Sequence, residues 1–90
     1  MITERQREIM VITQEEAAEV IQEISKIFRF GIDDSHRDGM THRERLTTEV
    51  GDLLAMVDLL VDSRVLDPSM IEMAKQAKTH KLRQYSSIYK

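Results

Sequence analysis

Apolar residues recur at three- and four-residue intervals along most of this chain, in three stretches separated by turn-forming clusters. In the first stretch Ile9, Met10, Ala17, Val20, Ile21, Ile24, Ile27 and Phe28 largely keep the spacing of one helical face. That spacing predicts a helix from about Thr3 to Phe30, ended by Gly31. Thr13-Gln-Glu-Glu16 also has the form of a capping box, which starts a new helix near residue 14 and leaves a shorter one before it. An unbroken helix from residue 4 to 30 would be about 40 Å long. A compact chain of this size has a radius of gyration of only about 12 Å. Two readings therefore stand: the helix breaks near Thr13, or it extends to meet another subunit.

Residues 31 to 41 hold two glycines with Asp and Ser and read as a loop. Thr41-His-Arg-Glu44 is a second capping box and opens a helix to about Asp62. At 100° per residue Glu49, Asp52, Leu53, Met56 and Leu60 lie on one side of it, and Val50, Leu54, Val57 and Val61 on another. A helix apolar over most of its circumference packs on several neighbours at once. In so small a chain some of these belong to another subunit. Asp67-Pro68 supplies an N-cap and a first-turn proline for a last helix through about Leu82, with a frayed tail from Tyr85. The expected fold is all-α, a single antiparallel helical bundle over residues 1–90, completed by oligomerisation as a dimer or tetramer.

Composition narrows the function. A net charge of -3 argues against a nucleic-acid-binding surface. There is no cysteine for disulfide or thiolate chemistry, no apolar run long enough for a membrane, and no signal-peptide pattern at the N-terminus. A cytoplasmic protein without membrane contact is the expectation. The six methionines are expected to fill gaps in the core.

The chemistry lies in the acids. Glu16 and Glu19 share a helical face, as do Glu49 and Asp52, so two packed helices bring four carboxylates together. Such a group repels itself and loses hydration unless a cation sits within it. All-oxygen donors favour Mg²⁺ over zinc. Like-charge neighbours among Glu15, Glu16, Glu19 and Glu23 cost a helix roughly 0.2 to 0.5 kcal/mol a pair. Acids in a first turn after Thr13 would instead be favoured by the helix dipole, with Glu16 a capping residue. Glu49 and Asp52 flank residues that a bundle buries, and Gly51 between them costs about 1 kcal/mol against alanine, which implies a close approach by backbone or ligand.

Glu16-Ala-Ala-Glu19 followed by Glu49-Val-Gly-Asp52 resembles the ExxE and ExxD signature of the all-α nucleoside triphosphate pyrophosphohydrolases, the MazG-like superfamily. The flanks ITQEEAAEVIQEISKIFRFG and RERLTTEVGDLLAMVDLL resemble its two central helices, over roughly residues 10 to 65. The 29 residues between Glu19 and Glu49 are slightly more than the usual gap, pointing to a differently shaped loop around Asp33 to Met40.

The resemblance implies Mg²⁺-dependent cleavage of a (d)NTP into the monophosphate and pyrophosphate, with Mn²⁺ as a substitute metal. Glu16, Glu19, Glu49 and Asp52 are then the catalytic metal ligands, and one of them or Glu15 the base. Cations outside the metal shell hold a polyanionic substrate. Lys26 lies on the flank of Glu19, Arg29 is one turn further, and Lys78 and Lys81 sit three apart on the basic last helix. His36, His42 and His80 lack partners at metal-ligand spacing and are read as surface residues, and Asp58 as an acid facing away from Glu49. Alternatives are a phosphoribosyl-ATP pyrophosphohydrolase and a non-catalytic helical oligomer that binds a protein partner.

Overall fold

The computed structural model describes residues 1–35 and 38–90, and its regular elements are three helices: α1 (Glu4–Phe30), α2 (His42–Asp62) and α3 (Pro68–Tyr85). The all-α expectation holds. α1 runs unbroken through Thr13, whose hydroxyl donates to Ile9 O at 2.7 Å and so satisfies itself within the helix. The working capping box is at the chain start instead. Thr3 Oγ1 accepts from Gln6 N at 3.0 Å, and Gln6 Oε1 accepts from Thr3 N at 2.9 Å. Gly31 ends the helix at φ +99°, a backbone angle that side-chain-bearing residues rarely adopt.

The second capping box forms as expected, with Thr41 and Glu44 bonding reciprocally at the start of α2. Asp67 accepts from Ser69 N and Met70 N to open α3, with Pro68 in its first turn. Between α1 and α2, Arg43 grips Asp33 through two hydrogen bonds of 2.9 and 3.2 Å, and Arg45 pairs with Asp38. The reading of His36 lies outside the described residues.

α1 and α2 pack antiparallel. At the open end of this hairpin Arg5 reaches Asp62 at 3.2 Å, and Gln6 Nε2 donates to Ser63 O at 2.7 Å. Only Ile9 and Leu60 are buried apolar residues among those described, and α3, which contributes none, packs extensively on neither helix. The radius of gyration is 16.1 Å, against about 12 Å for a compact chain of this length. The methionine expectation fails at this level: Met70 and Met73 are about two-thirds exposed and no methionine is buried. α2 is likewise not central within one chain, because among the described elements only α1 packs extensively on it and Leu54 remains 58% exposed.

Candidate metal centre

The middle of the α1/α2 hairpin carries the acids. Glu16 and Glu19 are one turn apart on α1, Glu49 faces them from α2, and a carboxylate oxygen from each lies within 4.8 Å of the others. Asp52 is exposed and outside that trio, yet close enough that its charge raises the pKa of both Glu16 and Glu49. It stands at the rim.

The electrostatics are one-sided. Hydrogen bonding with Glu19 pushes the Glu49 carboxyl up to about 7, assisted by desolvation and by the charges of Glu19, Asp52 and Glu16. Glu16 is raised by desolvation first, then by Glu19, Asp52 and Glu15. Among the described residues no cation offsets either shift. Glu16 Oε2 and Glu49 Oε2, like Glu23 Oε2 further along α1, are shielded from solvent and make no hydrogen bond. An oxygen trio with inward-facing, unsatisfied atoms and excess negative charge has the donor set of a hard divalent cation.

The cations predicted for substrate fall in different places. Lys26 lies two turns beyond Glu19 on α1, with Nζ 3.3 Å from Glu23 Oε1. Arg29 is exposed and lies over the Phe30 ring at 5.0 Å. Lys78 and Lys81 are exposed on α3, which does not close over the acids within one chain. Asp58 is exposed, as expected.

Two residues depart from the sequence reading. His42 is not a surface histidine: it is 3% exposed, stacked with Phe30 at 5.9 Å between ring centres, with Nδ1 3.6 Å from Glu23 Oε2. Its neighbour across the hairpin decides this, since two residues 19 apart in sequence meet only once the helices pack. Gly51 shows no close approach, and a Cβ built there meets nothing within 4 Å in this chain. Arg45 was not singled out, although it lies one turn before Glu49 on the same face and was legible by that spacing.

The chain matches no protein-family model, no curated protein and no solved structure. No helix among the described residues is long and apolar enough to cross a membrane.

Proposed function

We propose that this chain is a Mg²⁺-dependent nucleoside triphosphate pyrophosphohydrolase that works as a homo-oligomer. The observation that carries the reading is the Glu16, Glu19 and Glu49 trio, with two buried unpartnered oxygens and, among the described residues, no compensating cation. The resemblance of the flanking sequence to MazG-like proteins supplies the substrate class.

In this reading Glu16, Glu19 and Glu49 hold the cation, with Asp52 completing the set from the rim. A Mg²⁺ held there would neutralise charge on the triphosphate and polarise the phosphorus under attack. The residues do the rest. One carboxylate of the group aligns a water and takes its proton. The water oxygen bonds to the α-phosphorus, the bond to the oxygen bridging to the β-phosphorus breaks, and pyrophosphate leaves with the electron pair. Lys26 meets the phosphate tail from the loop side of the centre. Arg29, Lys78 and Lys81 serve the same substrate only if a second copy or bound nucleotide draws them in.

The oligomer is supported by area. The chain exposes 7295 Å², whereas a folded monomer of this mass exposes about 5,400 Å². The excess, about 1,900 Å², is of the size that an obligate interface buries per subunit. Exposed Ile21, Phe28 and Leu54 supply apolar contact surface for it.

The test is pyrophosphate release from a panel of NTPs, dNTPs and phosphoribosyl-ATP, with and without Mg²⁺, beside a folded Glu49→Ala, Asp52→Ala variant. Metal-dependent release that the variant loses is the expected result. Turnover of phosphoribosyl-ATP alone would move the assignment within the same chemistry. No release from any nucleotide by folded, oligomeric protein sinks the enzyme reading in favour of a partner-binding module.

A further inference from the structure

The loop end of the hairpin carries a buried polar pair, Glu23 and His42. Glu23 and His42 are the two buried polar side chains among the described residues, 5% and 3% exposed. A carboxylate removed from water is unfavourable unless it is paired. Glu23 Oε1 lies 3.3 Å from Lys26 Nζ, while Oε2 makes no hydrogen bond and faces His42 Nδ1 of the other helix at 3.6 Å, an ion pair when the imidazole is protonated. The pair also has a defined place. Glu23 is one turn from Glu19 on α1 and His42 is two turns from Glu49 on α2, so the two lie on the loop side of the carboxylate trio, with Arg45 between His42 and Glu49.

We propose that Glu23, braced by His42 from the opposite helix, is a positioning residue that holds the Lys26 ammonium toward the phosphate tail of the substrate. This rests on the pyrophosphohydrolase reading above. Side chains on a helix lean toward its N-terminus, which for Lys26 is the direction of Glu23 and Glu19. A free lysine loses rotamer freedom when it grips a phosphate, and one fixed beforehand loses less. The ammonium has three N–H donors, and its contact with Glu23 uses one, leaving two for phosphate oxygens. His42, clamped under the Phe30 ring, restrains the rotamer of Glu23 and so acts two steps from the substrate.

The test is steady-state kinetics with Mg²⁺, on the nucleotide that the wild type turns over best, for Lys26→Ala, Glu23→Gln, their double variant and His42→Ala. Lys26→Ala raises KM by about 10-fold with kcat little changed, the pattern of a lost binding contact. Glu23→Gln raises KM by roughly 3-fold, His42→Ala moves the same way, and the double variant is no worse than Lys26→Ala alone, since coupled residues are not additive. A Glu23→Gln effect that adds in full to Lys26→Ala, or that falls on kcat, makes Glu23 a structural residue and overturns the proposal.

A second readout uses the unaltered protein. Nitrogen-15 relaxation of the lysine ammonium groups is expected to show Lys26 restricted relative to exposed Lys75 and Lys90. A Lys26 ammonium as mobile as those overturns the proposal even if turnover is normal. If the wild type turns over no nucleotide, the pyrophosphohydrolase reading has failed, and the substrate-positioning role falls with it.

Discussion

Three carboxylates gathered between two helices set the pH behaviour of the protein. Glu49 is raised to about 7 and Glu16 is raised from its ordinary value, so the folded chain binds protons at these sites more tightly than the unfolded chain does. Stability therefore falls as pH rises from about 4.5 through 7, and the penalty is full above that window. Asp33, held down by its hydrogen bonds to Arg43, acts in the opposite sense and only near its ordinary value of 3.8 and below. The expected outcome is a melting temperature in EDTA that drops between pH 5 and about 8, with Mg²⁺ restoring most of the loss at the alkaline end. Glu49→Gln flattens the EDTA profile and removes the Mg²⁺ effect. A metal-free melting temperature that climbs steadily over the same range contradicts the crowding of the trio.

The helices can be tested at their ends and at one glycine. Two threonines have capping-box form near the start of the chain, and only Thr3 has the geometry, since Thr13 spends its hydroxyl on Ile9 O. Thr3→Ala is expected to cost about 1 kcal/mol, seen as a drop of roughly 4 to 8 °C in melting temperature. Thr13→Ala should stay within about 0.5 kcal/mol of wild type, because it removes no orphan-donor partner. Equal losses from both would restore the helix break near residue 13. Gly51→Ala should stabilise metal-free protein by about 0.5 to 1 kcal/mol, since a methyl group there meets nothing in the chain. Chemical denaturation measures it, and a loss instead would place a second copy or a ligand against that turn of α2.

On the scale of the whole molecule, one hairpin and a loosely attached third helix leave several large apolar side chains in water. Ile21, Phe28 and Leu54 are each more than half exposed on the two helices that carry the acids. Sedimentation equilibrium is expected to return at least a dimer at micromolar concentration, with a melting temperature that rises with protein concentration. Leu54→Asp should shift the population toward monomer. A wild type that sediments as a folded monomer would leave the exposed surface for a different partner.

How much of this was legible in the residues follows from how local each signal is. Thr41 with Glu44, Asp67 with Pro68, and Gly31 each act within four residues of themselves, so the starts of α2 and α3 and the end of α1 were readable. Thr13 was ambiguous because a capping box is a local pattern, whereas its use depends on whether the helical ladder already runs through it. The convergence of Glu16, Glu19 and Glu49 was readable from two helical spacings and the assumption that their helices pack.

The burial of His42 depended on Glu23 and Phe30 arriving across the hairpin, and Asp52, though on the face of Glu49, stays exposed and outside the trio. The sequence alone determined the three helices and the faces that carry their acids, because period and capping are properties of neighbours along the chain. The tertiary structure decided which acids share a site, which histidine is buried and how much apolar surface stays in water, because those depend on distances between residues that the chain keeps far apart.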